Sequence, residues 1–77
     1  MKNNIDFSII RERALRNIRK DLINDWSDRY EAAHINDVFD NVLANHRAEA
    51  VIEDFVPVLV EAEMLNRLRD GEMEQAH

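Results

Sequence analysis

The stretch that decides the fold is VIEDFVPVLVEAEMLNRLRDG, residues 51–71, the most apolar part of the chain and the part that holds its single proline and single glycine. Inside a helix a proline costs about 3 kcal/mol, but in the first turn its missing N–H has no helical partner to lose. Asp54 suits the positive end of a helix, and Gly71 suits the left-handed position just past its last turn. We therefore predict a helix over 53–70 with Pro57 in its first turn. A kink at Pro57 in a helix beginning near Val51 is the alternative.

Two further segments carry apolar residues at the three- and four-residue steps of an amphipathic helix. The first predicts a helix over 7–31, because no helix breaker precedes Glu31. The short connection AAHIND follows, with His34 as the expected N-cap, and the second pattern predicts a helix over 35–47. Three helices with two short connections predict an all-α fold, an antiparallel three-helix bundle. We expect residues 1–77 to form one domain, with frayed tails at 1–5 and 72–77.

The predicted stripes supply a set of large apolar side chains expected in the core or at an interface. These are Ile18, Leu22, Trp26, Tyr30, Val38, Phe39, Val42, Phe55, Val58, Leu59, Leu65 and Leu68. Asp54, Pro57 and Gly71 are expected to have structural roles at the ends of the third helix.

Composition and charge exclude several classes of function. The chain has no cysteine, so neither a disulfide nor a thiolate metal site is possible, and a reducing cytoplasm is the expected location. The formal net charge is −6, which argues against a nucleic-acid partner. No apolar run is long enough for a membrane span. Serines and histidines are too few and too scattered for a nucleophilic triad or for a metal motif, including any site that combines His34, Asp37 and His46. We expect no enzyme activity and no cofactor.

The run RERALRNIRK, residues 11–20, is the strongest charge cluster. Residues 1–20 hold six Lys/Arg and two Asp/Glu, whereas residues 21–77 hold four Lys/Arg and fourteen Asp/Glu. Arg13, Arg16 and Lys20 oppose the apolar stripe, so a solvated face is the simplest interpretation. Contact with an anion or nucleic acid, and electrostatic attraction to the acidic part of a neighbouring subunit, remain alternatives.

Residues 41–70, NVLANHRAEAVIEDFVPVLVEAEMLNRLRD, resemble a small actinobacterial family of three-helix-bundle dimerisation domains. The element DFVPVLVE, residues 54–61, carries most of the resemblance, and the basic RLR, residues 67–69, follows it. Such domains occur alone and as the N-terminal domain of low-molecular-weight-phosphatase-like arsenate reductases. The resemblance implies a bundle that self-associates, and it does not extend to catalysis, because those enzymes use a cysteine that this chain lacks.

These observations lead to one expected function and two alternatives. We expect a non-enzymatic interaction module that forms a homodimer or another homo-oligomer through apolar faces of helices one and three. The predicted helices differ in length, so parts of those faces would lack a partner within the chain. A regulatory module that docks on a phosphatase-like protein partner is the alternative. An anion or nucleic-acid contact through the basic first helix is the weaker one.

Overall fold

The computed structural model describes residues 7–50 and 52–73. Three α-helices follow one another: α1 is Phe7–Trp26, α2 is Ala32–Glu49 and α3 is Val56–Asp70, with a single 3₁₀ turn at Glu53–Phe55 before α3. Every helix packs against the other two, and the described residues contain no strand. The predicted all-α three-helix bundle is confirmed.

One apolar core lies between the three helices. Its centre is formed by Ile35 and Phe39 of α2 and by Val60 and Met64 of α3, all of which are fully buried. Ile18, Trp26 and Leu65 pack against this centre and are partly exposed. The buried apolar side chains are Leu15, Leu22, Ile35, Val38, Phe39, Val42, Leu43, Val56, Val60, Met64, Leu68 and Met73.

The connection between α1 and α2 differs from the prediction. The first helix ends at Trp26 rather than at residue 31, and the N–H groups of Arg29 and Tyr30 both donate to the Trp26 carbonyl at 3.0 and 3.1 Å. Ser27 and Asp28 lie in this turn, and short polar side chains of this kind favour turns over helix. The predicted extension of α1 was therefore wrong.

The second helix is longer than predicted. It begins at Ala32, and the residue before it, Glu31, makes no side-chain capping bond. His34 lies inside α2 instead of capping it, because Ala32 and Ala33 are strong helix formers that extend the first turn. The three helices have 20, 18 and 15 residues. The predicted mismatch of helix lengths was therefore wrong. That mismatch was the reason to expect apolar faces without a partner inside the chain.

The C-terminal end of α3 agrees with the sequence-based prediction, whereas the α-helix begins at Val56 rather than at residue 53, after the 3₁₀ turn. Pro57 lies in the first turn of α3, so the kink alternative was wrong. Gly71 has φ 76°, a left-handed conformation, and its N–H donates to the Arg67 carbonyl. The Glu72 N–H donates to the same carbonyl at 2.8 Å, which satisfies the end of the helix. Asp54 lies in the 3₁₀ turn that precedes α3. No side chain makes a capping hydrogen bond at the start of this turn.

The chain remains packed beyond Gly71. Met73 was expected to belong to a frayed tail, yet it is buried against the core. The expected tails at 1–5 and 74–77 lie outside the described residues. Tyr30, in the turn after α1, donates from its hydroxyl to the Leu68 carbonyl at 3.4 Å, so this turn covers the end of α3.

The face that α3 buries is not the one we predicted. Val56, Val60, Met64 and Leu68 are buried at four-residue intervals, whereas Phe55, Val58 and Leu59 are exposed. Their placement in the core of the chain was wrong, and their role at an interface stays a prediction. The physical reason is that the first five residues of α3, VPVLV at 56–60, are all apolar and together occupy every side of the helix. Periodicity then cannot tell which side faces inward.

Candidate functional site

The first half of α3 is apolar on its outward side as well as on its inward side. Phe55, Val58 and Leu59 leave 58, 65 and 45% of their surface exposed, while Val56 and Val60 are buried beneath them. A helix that is apolar all round is normally covered all round. The second half of α3 is different, because its outward positions include Asn66, Arg69 and Asp70.

The first turn of α1 adds apolar surface at the same end of the bundle. Phe7, Ile9 and Ile10 are about half exposed. Arg11, one turn further along α1, donates to the Asp54 carboxylate at 2.9 Å and lies 4.0 Å from that of Glu53. This ion pair holds the start of α1 beside the start of α3. Every large exposed apolar side chain of the described residues therefore lies at one end, which we call the apolar end surface: Phe7, Ile9, Ile10, Ile52, Phe55, Val58 and Leu59.

The position of α2 determines which flanks of α1 and α3 remain open. On α1, Glu12 pairs with Arg47 of α2. Ile10 precedes Glu12 by two residues. Each helical residue turns by about 100°, so Ile10 points to nearly the opposite side of α1 from Glu12. On α3, Glu63 contacts His46 of α2 at 2.8 Å, and Val58 lies on the flank away from that contact. The sides of α1 and α3 that face away from α2 are thus adjacent, and both carry apolar side chains, Ile10 on α1 and Val58 on α3.

The cations of α1 divide into an inner and an outer group. Arg19 donates to the Asn36 side chain at 2.8 Å, pairs with Asp40 at 2.8 Å and lies 4.7 Å from the Phe39 ring centre. Such inner arginines join α1 to its neighbours. The outer group, consisting of Arg13, Arg16 and Lys20, makes no ion pair with the described part of the chain. The run at 11–20 therefore serves two purposes, and only its outer face is available for a partner.

The most connected polar cluster joins α2 to α3. The Glu63 carboxylate accepts hydrogen bonds at 2.8 Å from both His46 and Arg67. Burial raises the pKa of Glu63, but the hydrogen bonds and positive charges of Arg67 and His46 together outweigh burial, so this pKa lies below its ordinary value. A carboxylate held ionised by two hydrogen bonds, one of them from an arginine, is a poor general base. We assign the cluster a structural role.

The described residues show no arrangement suited to metal chemistry. They contain no group of three or more histidine, cysteine or acidic side chains that could hold a metal ion. His34 lies in the first turn of α2 and His46 in its last, so the helix separates them. Among the helices that the structure describes, none is long and apolar enough to cross a membrane.

Most of the apolar residues selected from the sequence lie in or against the core. These are Ile18, Leu22, Trp26, Tyr30, Val38, Phe39, Val42, Leu65 and Leu68. Phe55, Val58 and Leu59 come together instead on the apolar end surface. Sequence reasoning missed Val56, Val60, Met64 and Met73 as core residues. The first three form an unbroken four-residue repeat with Leu68, and that repeat is the signal that could have found them.

No family model, curated protein or solved structure matches the chain. The resemblance to three-helix-bundle dimerisation domains therefore stays a prediction.

Proposed function

We propose that the protein is a non-enzymatic interaction module that forms a homodimer through the apolar end surface of α1 and α3. The observation that carries this proposal is the exposure of Phe55, Val58 and Leu59 at the start of α3, where the five consecutive residues 56–60 are all apolar. Burying such exposed apolar side chains against a partner is favourable by about 25 cal/mol for each Å² of apolar surface removed from water.

A second copy is the partner that fits this surface best. A chain of 77 residues has a small core, and small domains commonly gain stability by burying apolar surface between subunits. The outer cations Arg13, Arg16 and Lys20 add a favourable long-range term, because the remainder of a second copy is strongly acidic. The resemblance to dimerisation domains points the same way. A module docked on a phosphatase-like enzyme would use the same surface, but only the resemblance supports that partner.

The test is the molar mass in solution, measured by light scattering on a sizing column over a range of protein concentrations. We expect a dimer for the unmodified protein. Val58→Asp should give a monomer with an unchanged circular dichroism spectrum, because Val58 is exposed within the chain and only the partner would bury the new charge.

Asn41→Asp is the matched control. Asn41 is exposed on α2, so this substitution adds the same charge away from the apolar end surface and should leave the dimer intact. A monomeric unmodified protein at every concentration would contradict the proposal. Equal effects of the two substitutions would show that a different surface is used.

A further inference from the structure

The outward side of α3 carries a second stripe, which we call the seam: Phe55, Val58, Ala62, Leu65 and Arg69. Its steps are three, four, three and four residues. Phe55 directly precedes α3 but has helical dihedral angles, φ −86° and ψ −10°, so the stripe is continuous. Leu65 is partly buried, and the other four are exposed.

This spacing is the one that fits a second helix. Alternating steps of three and four average 3.5 residues per turn, so the five side chains stay on one face that a partner helix can cover along its length. The buried row on the inward side steps by four throughout, from Val56 to Leu68, and packs against the bundle. The two sides of α3 thus have different periods, one for the fold and one for a helix outside it.

The side chains of the seam follow the same order of sizes from either end. Ala62 is at its centre, Val58 and Leu65 flank it, and the long side chains of Phe55 and Arg69 lie at its ends. If two copies of α3 run antiparallel with Ala62 facing Ala62, then Val58 meets Leu65 and Phe55 meets Arg69. The small central residue allows the two backbones to approach closely, and the branched residues fill the space on either side.

Charge distinguishes the antiparallel from the parallel arrangement. Parallel helices would place Arg69 against Arg69 of the second copy, an unfavourable pair of like charges. The antiparallel arrangement places Arg69 over the Phe55 ring, where a guanidinium is favourable. It also brings Arg69 near Glu53 and Asp54, whose side chains are 68 and 61% exposed and therefore accessible.

We infer that α3 pairs antiparallel with α3 of a second copy, about a twofold axis that passes beside Ala62. This inference rests on the proposed dimerisation and adds the helix, its direction and its register. The first helix then flanks the pair, so that its exposed Phe7 and Ile10 extend the contact at each end.

Disulfide cross-linking tests the geometry directly, because the natural chain has no cysteine. Ala62→Cys and Arg69→Cys are prepared separately, both at exposed positions, and each is oxidised at a concentration where light scattering shows a dimer. Ala62→Cys should cross-link to itself nearly completely, since the two sulfur atoms meet at the axis. Arg69→Cys should not cross-link to itself, because its two copies lie at opposite ends of the pair. A mixture of Arg69→Cys with Phe55→Cys should give the mixed product.

Asn41→Cys on α2 measures linking by random collision. Self-linking of Arg69→Cys as complete as that of Ala62→Cys would indicate parallel helices and overturn the inference. A dimer in which Ala62→Cys links no better than Asn41→Cys would overturn it as well, while leaving the proposed dimerisation intact. If light scattering shows a monomer, the proposed dimerisation and the antiparallel pairing of α3 are both refuted.

Discussion

Truncation of Met64 should destabilise the fold far more than truncation of Val58, although both residues lie on α3. Met64 is fully buried, whereas Val58 is 65% exposed. Replacing a buried methionine with alanine costs about 2–5 kcal/mol through lost transfer free energy and the cavity left behind. Exposed positions usually change the free energy of unfolding by less than about 0.5 kcal/mol. The expected difference between Met64→Ala and Val58→Ala is therefore about 1.5 kcal/mol or more.

The difference is large relative to the stability of a chain of this length. Domains of this size have a free energy of unfolding of roughly 0.05–0.15 kcal/mol per residue, or about 4–12 kcal/mol in total. Each kcal/mol changes the melting temperature by about 4–8 °C, so Met64→Ala should lower it by roughly 8 °C or more.

The assay is urea unfolding followed by circular dichroism, in dilute and in concentrated protein. In dilute protein, Val58→Ala should unfold almost as the unmodified chain does, while Met64→Ala unfolds at much lower urea. In concentrated protein the Val58→Ala penalty should grow, because dimer formation stabilises the folded state by mass action. If Val58→Ala is the more destabilising change in dilute protein, α3 faces the core with its other side, and our account of the fold is refuted.

Two further predictions concern the end of α3 and its contact with α2. Gly71→Ala should lower the free energy of unfolding by about 1–2 kcal/mol in thermal unfolding, because a residue with a side chain is strained at φ 76°. The new Cβ would lie 3.9 Å from the Tyr30 hydroxyl, an ordinary van der Waals distance, so no clash contributes. A variant more stable than the unmodified protein would contradict the left-handed conformation at the end of α3. The lowered pKa of Glu63 means that its contribution to stability is present above the ordinary glutamate value of 4.5 and is lost as the pH falls below it. Glu63→Gln should therefore flatten the acid limb of the stability profile relative to Glu61→Gln, a control at an exposed position of the same helix, and identical acid limbs would refute the assigned ion-pair role.

Single residues with special backbone requirements were predicted well from the sequence. Pro57 can enter a helix cheaply only in its first turn, and Gly71 can adopt a left-handed conformation without strain. Both are found where those requirements place them. The number of helices followed from the same reasoning, combined with the apolar periodicity.

Helix boundaries without such residues were predicted poorly. The turn after Trp26 has neither glycine nor proline, and its signal is confined to Ser27 and Asp28, which helices also tolerate. Helix propensity is a weak preference that tertiary contacts override. Here Trp26 and Tyr30 pack against the core, so the chain turns where packing requires it.

The orientation of α3 could not be derived from periodicity because apolar residues occupy both of its sides. A four-residue repeat from Val56 to Leu68 competes with the three-four repeat that begins at Phe55. Only the positions of α1 and α2 decide which repeat faces inward. The ambiguity is itself informative, since a helix with two apolar sides is suited to two packing partners.

Sedimentation equilibrium tests the central claim most directly. The chain has a mass of 9.1 kDa, and we predict that the measured mass rises to twice this value between low micromolar and millimolar concentration. Val58→Asp should keep the mass of a single chain across the same range. A single-chain mass for the unmodified protein at every concentration would contradict the account.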